Sequence, residues 1–284
     1  MMDYRNELLR AKREFTHSGF QEVDAELLFA HILGITRMDL HNSVTLQKAL
    51  DQFENEEEIE DLFNAACARR LTGEPVQYIT GEAYFRNLTL KVGKGVLIPR
   101  PESELLVSHV ITHLRTRAKT TSVIDLGSGS GALALAIATE APNSHVIAVE
   151  SDPGALIWLR KNVEASDAEV RIVEEDVTTA LDGVKADLVI ANPPYIPNAQ
   201  ELPFEVKNYE PHFALFGGKS GMEVPEKFIV AAARLLKGGG LFVMEHGEDQ
   251  AEAVASALVP YFKEVRVHLD LNNRSRWTSA ERMR

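Results

Sequence analysis

The architecture of the chain is predicted best by residues 122–138, which read SVIDLGSGSGALALAIA. The apolar run at the start of this stretch is typical of a buried strand, and the alanine- and leucine-rich run at its end is typical of a helix. Between them lies the loop Gly127-Ser128-Gly129-Ser130-Gly131. Glycines let the main chain turn sharply there and let a ligand approach the backbone closely. The stretch therefore predicts a strand, a ligand-binding loop and a helix.

The same alternation continues toward the C-terminus. Further strand-like apolar runs lie at 145–149, 170–173, 186–191, 241–245 and 265–269. Helical periodicity separates several of them, and Gly238-Gly239-Gly240 is typical of a turn. Strands that alternate with helices predict a parallel sheet covered by helices on both faces, which is the doubly wound, Rossmann-like α/β class.

The N-terminal part of the chain has a different pattern. Helical periodicity is found at 7–15, 24–33, 46–53 and 56–70. The runs 74–79 and 88–92 alternate in the manner of strands. We therefore predict a small all-helical domain over 1–72, a β-hairpin connector over 73–98, and an α/β domain over 99–284. The first helix of the α/β domain is expected near Arg100, with Pro101 in its first turn.

Composition restricts the kinds of protein this chain can be. Of 284 residues, 45% are hydrophobic and 25% are charged, which is usual for a globular domain. No apolar run reaches the roughly 18–20 residues that a membrane span needs. The polar stretch Met1–Arg5 has no signal-peptide pattern, and the single cysteine, Cys67, excludes an intrachain disulfide. We expect a cytoplasmic protein with no membrane contact and read Cys67 as a buried helix residue.

Charge and histidine spacing narrow the choice further. The net charge of −12 argues against a protein that binds nucleic acid through its phosphates, although it permits a basic partner. His109 and His113 are four residues apart, yet they lack the glutamate of a zinc-protease motif, and no Cys-x-x-Cys pair is present. We predict no metal site and no direct binding of nucleic acid.

The tetrapeptide Asn192-Pro193-Pro194-Tyr195 follows the apolar run 186–191. Its prolines remove two main-chain donors, so the loop presents carbonyl oxygens with few competing N–H groups. Asn192 adds a side-chain oxygen, and Tyr195 adds a flat apolar face. This set predicts a pocket that accepts hydrogen bonds from a planar NH2 group, either an amide or a nucleobase amine. The alternative is an ordinary proline-rich turn.

Acidic residues follow the first three predicted strands. Asp125 opens the glycine loop, Glu150 ends the second strand, and Asp176 follows the third. Glu150 could accept from two ribose hydroxyls, and Asp176 could meet an adenine amine. The glycine loop alone fits a dinucleotide as well, and each acid could instead be a helix N-cap or a loop end. Together with the tetrapeptide, these acids resemble the class I S-adenosylmethionine-dependent methyltransferases.

Longer motifs resemble one family in particular, the HemK/PrmC protein-(glutamine N5) methyltransferases that act on peptide-chain release factors. The motifs are GEPVQYITG at 73–81, LIPRPE at 97–102, DLGSGSG at 125–131, NPPY at 192–195, YEP at 209–211, AL at 214–215 and GG at 217–218. The chain departs from the family at Ser103, which is usually Thr, and at Glu150, which is usually Asp. Its Glu245-His246-Gly247 stands where the family has Glu-Ile-Gly.

The resemblance implies S-adenosylmethionine as cofactor, S-adenosylhomocysteine as product, and as substrate the glutamine of the Gly-Gly-Gln loop of class-1 release factors. It implies as cofactor-binding residues Arg100, Asp125, Gly127, Ser128, Gly129, Ser130, Gly131, Glu150, Asp176, Val177 and Asn192. It implies as catalytic residues Asn192, Pro193 and Tyr195, which with Pro194 also bind the substrate. We expect the helical domain to recognise the release factor, and we expect a monomer.

Two other functions are compatible with parts of the sequence. An adenine-N6 methyltransferase could hold its adenine amine with the same tetrapeptide, but no basic, aromatic-rich recognition segment is visible. A cofactor-binding adaptor without activity is the third possibility, against which the intact glycine loop and tetrapeptide argue.

Overall fold

The computed structural model describes residues 4–117 and 119–284. Its α-helices are α1 (Tyr4–His17), α2 (Glu22–Ile32), α3 (Ser43–Leu50), α4 (Glu56–Leu71), α5 (Val76–Thr80), α6 (Ser103–Arg115), α7 (Ala132–Glu140), α8 (Pro153–Glu164), α9 (Phe204–Tyr209), α10 (Glu223–Leu235) and α11 (Ala251–Leu258). Its strands are β1 (Glu82–Phe85), β2 (Leu88–Lys91), β3 (Thr121–Leu126), β4 (Ser144–Glu150), β5 (Val170–Glu174), β6 (Ala186–Ala191), β7 (Ile196–Pro197), β8 (Phe216–Gly218), β9 (Leu236–Glu245), β10 (Phe262–Leu269) and β11 (Ser275–Arg282). Short 3-10 helices lie at Arg37–His41, His212–Ala214 and Glu248–Gln250.

The chain divides into two compact units. One comprises the described residues up to Gly81 together with Phe204–Tyr209, and the other comprises Glu82–Pro203 and Glu210–Arg284. The sequence interpretation ended the helical domain at residue 72 and placed 73–98 in a separate connector. In the structure, residues 73–81 belong to the helical unit and residues 82–98 to the α/β unit.

The helical unit is packed around aromatic side chains. Phe15, Phe29 and Phe63 are fully buried, and the rings of Phe29 and Phe63 meet edge to face at 5.1 Å between centroids. Buried Arg70 on α4 pairs with Asp24 on α2 at 2.8 Å. Arg70 also pairs at 2.9 Å with Glu205 on α9, and this ion pair links α9 to the helical unit.

The strand predicted over 74–79 is wrong, because this segment forms the short helix α5. Pro75, with φ fixed at −56°, precedes the helix and accepts hydrogen bonds from the N–H groups of Tyr78 and Ile79. Gly81, with φ at +73°, ends it. The predicted hairpin does exist, but its first strand is β1, which pairs with β2 in antiparallel register.

The α/β unit contains a mixed sheet. In the described residues it has seven strands in the order β10-β11-β9-β6-β3-β4-β5. The strands from β9 to β5 are parallel, whereas β11 is antiparallel to both of its neighbours. The sequence pattern predicts an all-parallel sheet that ends at 265–269, which is wrong, and it does not indicate β11. A tight turn, in which Asp270 accepts the N–H groups of Asn272 and Arg274, joins β10 to β11 in place of a crossover helix.

Helices cover both faces of this sheet, as the doubly wound pattern predicts. One face packs on α6, α7 and α8, and the other packs on α10 and α11. The predicted turn at 238–240 is wrong, because these glycines lie inside β9. They produce an irregularity in its pairing with β6, and Gly239 has φ at +82°. Among the described helices, none is both long and apolar enough to cross a membrane.

Candidate active site

A cavity of about 490 Å³ opens at the carboxyl ends of the parallel strands. Its volume lies within the usual range of small-molecule sites, and in sheets of this kind ligands bind at this edge. The predicted site residues that line it are Arg100, Gly127, Ser128, Gly129, Ser130, Glu150, Asp176, Val177, Asn192 and Pro194. Among the described lining residues, four predicted ones are not found: Asp125, Gly131, Pro193 and Tyr195. Sequence reasoning missed several lining residues, including Phe213, Lys227 and Phe228.

The glycines of the loop after β3 have two different roles. Gly127 and Gly131 have φ at +69° and +86°, a backbone conformation that favours glycine, and a Cβ there would also crowd the side chains of Phe228 at 3.0 Å and Leu159 at 2.7 Å. At Gly129, with φ at +56°, a Cβ would meet nothing within 4 Å. The middle of the loop therefore presents open main chain to the cavity.

Glu150 ties the end of β4 to this loop. Its Oε2 accepts a hydrogen bond from the Gly129 N–H at 2.9 Å. Its Oε1 accepts from the N–H groups of Ser151 and Asp152, both at 2.8 Å. The N-cap of α8 is Asp152, whose carboxylate accepts from Ala155. Glu150 is therefore not a helix cap, and its buried carboxylate is held at the cavity wall.

Asp176 combines the two roles that the sequence left open. Its Oδ1 accepts from the Thr178 hydroxyl at 2.5 Å and from the Thr178 N–H at 2.9 Å, which makes it the anchor of a turn. These bonds lower the pKa of Asp176, the Thr178 hydroxyl most. The residue is exposed and also lines the cavity. An ionised carboxylate therefore stands at this edge of the site.

Asp125 lies fully buried beneath the loop and does not reach the cavity. Burial raises the pKa of its carboxyl to about 7, and the nearby Ser128 and Ala134 N–H oppose this rise only in part. Neither carboxylate oxygen meets hydrogen-bond geometry with any described residue, and Ser128 Oγ donates to the main-chain oxygen of Asp125 at 3.1 Å. Burial therefore favours the protonated form of the Asp125 carboxyl.

At the other end of the cavity, Asn192 follows β6 and joins a chain of side-chain hydrogen bonds. Its Nδ2 donates to Ser103 Oγ at 3.2 Å, and Ser103 Oγ donates to Glu245 Oε2 at 2.5 Å. Tyr195 OH donates to Glu245 Oε1 at 3.2 Å. Burial raises the pKa of both Glu245 and Tyr195, and the hydrogen bonds from Ser103 and Tyr195 oppose the rise at Glu245. Side chains from three distant segments, α6, the 192–195 loop and the end of β9, thus form one network around the Glu245 carboxylate.

The backbone of the 192–195 loop is held from behind. Gln250 Nε2 donates to the main-chain oxygen of Tyr195 at 2.8 Å. A Cβ at Gly217 would lie 2.6 Å from the Pro194 oxygen, and a Cβ at Gly221 would collide with the Tyr195 oxygen. Glycine is therefore required wherever the strand β8 and its following turn approach this loop.

Arg100 is fixed by a buried carboxylate. Its Nη2 bonds Glu210 Oε1 at 2.6 Å, and Glu210 Oε2 accepts from the Ile98 N–H at 3.1 Å. The LIPRPE and YEP motifs therefore meet at the cavity wall.

Glu245 is not among the site residues predicted from the sequence, although its position in the sequence does indicate a place at the site. It ends an apolar strand as Glu150 does, and the carboxyl ends of parallel strands share one edge of a sheet.

Two other features singled out in the sequence are structural. Cys67 is buried on α4, which confirms that it is a buried helix residue. Desolvation raises the pKa of its thiol to about 12. His109 packs its ring 4.7 Å from Trp277, and burial lowers its pKa. In the part of the chain that the structure describes, no group of three His, Cys, Asp or Glu residues could hold a metal ion.

Comparison with solved structures supports the fold. The chain resembles a Thermus thermophilus 16S rRNA N2 G1207 methyltransferase solved with AdoMet and guanosine, with a TM-score of 0.52 and 21% identity over 71% of this chain and 49% of that one. It also resembles a methyltransferase from Pyrococcus furiosus, with a TM-score of 0.52 and 18% identity over 76% of this chain and 98% of that one. The sheet order and the cavity at its carboxyl edge define a class I methyltransferase.

Sequence comparison identifies the family. The Methyltransferase small domain matches residues 101–207, and the PrmC N-terminal domain matches residues 8–81. A release factor glutamine methyltransferase of Streptomyces coelicolor is 39% identical over 91% of this chain and 90% of its own length. One from Chlorobaculum tepidum is 38% identical over 91% and 89%, and one from Staphylococcus aureus is 31% identical over 98% and 99%. The chain belongs to the release factor glutamine methyltransferase family.

Proposed function

We propose that this enzyme transfers a methyl group from S-adenosylmethionine to the side-chain amide nitrogen (N5) of the glutamine in the Gly-Gly-Gln loop of class-1 peptide-chain release factors. One observation carries the proposal: a single cavity brings together two carboxylates suited to a nucleoside and an asparagine suited to an amide. Relatives that this chain matches over nine-tenths of their length are named release factor glutamine methyltransferases, which supports the same substrate. The adenine-N6 alternative has no such support.

The cavity fits S-adenosylmethionine by the hydrogen-bonding groups that line it. We assign Glu150 to the ribose hydroxyls, Asp176 to the adenine amine, and Gly127 to Gly131 to the close approach of the main chain. Val177 and Arg100 complete the wall. The carboxylates of Glu150 and Asp176 supply the acceptors that ribose hydroxyls and an adenine amine need. Buried Asp125 adds a third acid beneath the loop. When bound, the cofactor supplies an electrophilic methyl group and leaves as S-adenosylhomocysteine.

Asn192 and Pro193 are assigned to the substrate amide. An amide nitrogen is a poor nucleophile, because its lone pair is delocalised into the carbonyl. The side-chain oxygen of Asn192, which lines the cavity, would take one amide hydrogen. We assign the other hydrogen to the main-chain carbonyl of Pro193, a buried residue between two lining residues, so that the nitrogen is fixed in place and gains electron density. Positioning of this kind can supply up to about 7–11 kcal/mol of the barrier reduction.

Tyr195 and Pro194 complete the acceptor end. Pro194 lines the cavity, and the half-buried ring of Tyr195 is oriented by the bond from its hydroxyl to Glu245. We assign this ring to packing against the plane of the amide. After transfer the nitrogen loses one proton to solvent. We assign no described residue as a general base.

The rest of the molecule suits a protein substrate in the cytoplasm. We assign recognition of the release factor to the helical unit, the N-terminal part of which matches the PrmC N-terminal domain. The net charge of −12 does not favour direct binding of nucleic acid. We propose that the enzyme works as a monomer.

The test is methyl transfer from labelled S-adenosylmethionine to a purified class-1 release factor, beside its loop Gln→Ala variant and a duplex DNA. We expect label on the unmodified factor only, at the glutamine located by mass spectrometry. Label on the DNA would move the enzyme to the adenine methyltransferases. Cofactor binding without transfer to any of the three would favour the inactive adaptor.

A further inference from the structure

Two buried polar residues, Ser103 and Glu245, stand beside Asn192 and have no assigned part in the reaction. Ser103 begins α6 and is 3% exposed, and Glu245 ends β9 and is 1% exposed. Burying a carboxylate and a hydroxyl is costly unless their hydrogen-bonding groups are satisfied. In this protein both are satisfied, and Asn192 is the outermost member of the chain of bonds that they form.

The protons in this chain can be counted. An ionised Glu245 only accepts, and it takes the Tyr195 hydroxyl proton on Oε1 and the Ser103 hydroxyl proton on Oε2. The Ser103 oxygen has then used its only proton and can only accept from Asn192. The atom of Asn192 that faces it, at 3.2 Å, must therefore be the nitrogen Nδ2. The side-chain oxygen of Asn192 is left for the cavity.

We infer that Ser103 and Glu245 are positioning residues, which fix the amide of Asn192 with its oxygen toward the methyl acceptor. This inference rests on the proposed function and deepens it. In the opposite orientation, Asn192 would present an NH2 group to the NH2 group of the substrate, and two donors would face each other. The buried pair thus determines that the site accepts amide hydrogens.

Four neighbours determine whether Glu245 can remain the final acceptor. Burial raises the pKa of Glu245 and so opposes its ionised form, as Glu102 does, whereas Ser103 on α6, Tyr195 in the loop and Arg276 on β11 favour it. Arg276 is itself held at 3.3 Å by Asp270 in the β10–β11 turn. A protonated Glu245 would donate to Ser103, and Ser103 would then turn its proton toward Asn192. Loss of the ionised form therefore reverses the order of donors.

The kinetic test compares three variants with a control on the same helix. Ser103→Ala removes the link and should lower kcat for release-factor methylation about tenfold to hundredfold, with smaller changes in KM and cofactor affinity. Ser103→Thr keeps the hydroxyl and should retain kcat within a few-fold. Glu245→Gln keeps the shape. With the Tyr195 proton on its oxygen, its NH2 group faces Ser103, so kcat should fall at least as far as in Ser103→Ala. Thr112→Ala, which removes an exposed hydroxyl from α6, should match the parent protein.

A second readout does not depend on activity. With 15N-labelled asparagine, the side-chain amide of Asn192 can be assigned from its loss in Asn192→Ala, and its hydrogen exchange can be measured. Exchange should be faster in Ser103→Ala than in the parent protein, Ser103→Thr and Thr112→Ala, because only the first lacks the Ser103 acceptor. If the parent protein does not methylate a release factor, the proposed function fails, while this comparison still tests the positioning.

The inference is overturned if Ser103→Ala retains the parental kcat, or if exchange at Asn192 is the same in all folded variants. It is also overturned if folded Ser103→Thr is as slow as Ser103→Ala, because the hydroxyl is then not the active feature. Thermal unfolding shows whether each variant is folded. If Ser103→Ala does not fold, Glu245→Gln and Ser103→Thr still decide the outcome.

Discussion

The two ends of the cavity are built in different ways. At the cofactor end, Glu150 bonds main-chain N–H groups one, two and 21 residues away, and Asp176 bonds a residue two positions away. At the acceptor end, Asn192 bonds a side chain 89 residues away, and Glu245 bonds side chains 142 and 50 residues away. The two carboxylates of the first end are held by main-chain and side-chain donors at most 21 residues away, although Arg100 in the same wall depends on Glu210, 110 residues away. The network of the second end is assembled only when distant segments of the chain fold together.

This difference separates two properties of the enzyme. Local main-chain donors hold the carboxylates that we assign to the cofactor, so changes there should act mainly on cofactor affinity. The buried side-chain network holds the amide that we assign to the substrate, so changes there should act mainly on the rate of transfer. Substitutions at each end test this division.

Asn192→Ala should have the largest effect. It removes an acceptor that positions the nucleophile, so kcat should fall by roughly 10²–10³, the range seen when a single positioned hydrogen-bonding group is removed. The cofactor dissociation constant, measured by calorimetry, should stay within a few-fold of the parental value. Exposed Asn198→Ala in the following segment is the control. A large loss of cofactor affinity with a normal rate at saturation would contradict the division.

Glu150→Gln should have the opposite profile. It replaces one accepting oxygen with an NH2 group, which cannot accept, so at least one of the three hydrogen bonds from main-chain donors is lost and the contact assigned to the ribose is weakened. Hydrogen bonds to charged groups contribute about 1.5–3 kcal/mol, so cofactor affinity should fall about tenfold to hundredfold. The rate at saturating cofactor should change much less. Glu164→Gln, at an exposed position at the end of α8, is the control and should leave cofactor affinity and kcat unchanged. A large fall of kcat in Glu150→Gln at saturating cofactor would contradict the prediction.

Asp125 should make stability depend on pH. Its folded pKa of about 7 lies above the usual value near 3.9 of an unfolded chain. Between these two values the unfolded state binds fewer protons, so the free energy of unfolding falls as pH rises from about 4 to about 7 and this contribution is lost above that. Asp125→Asn should remove this part of the slope in chemical denaturation of the cofactor-free protein. Identical slopes in the parent and the variant would show that Asp125 is already ionised.

Asp176→Asn should have the smallest effect. The side chain is exposed, and an amide oxygen can still accept the bonds from Thr178, so the turn should remain intact. The charge near the assigned adenine position is lost, and the NH2 group that replaces the second carboxylate oxygen cannot accept from an adenine amine. Because the position is exposed, cofactor affinity should still fall only about two- to fivefold. Asp182→Asn, in an exposed loop nearby, is the matched control. If Asp176→Asn lowers cofactor affinity as much as Glu150→Gln does, the two carboxylates contribute equally to cofactor binding, contrary to this prediction.

The same contrast explains what the sequence could predict. The strand, glycine loop and helix around 122–138, the acids that follow β4 and β5, and the loop after β6 are local patterns, and the structure has them where they were expected. The helix α5 was missed because a short run bounded by proline and glycine also fits a strand. The strand β11 was missed because its direction depends on pairing with β9, which no local pattern records. The bond from Ser103 to Glu245 joins residues 142 apart and depends on the whole sheet being in place.

The most direct test of the account is a double-mutant cycle in single-turnover methyl transfer to a class-1 release factor, with the parent protein, Ser103→Ala, Asn192→Ala and the double variant. If Ser103 acts by orienting the amide of Asn192, removing that amide leaves nothing to orient. Ser103→Ala should then slow the parent protein about tenfold or more and leave Asn192→Ala almost unchanged. If Ser103→Ala slows both proteins by the same factor, the two residues act independently, and the acceptor end is not the single unit described here.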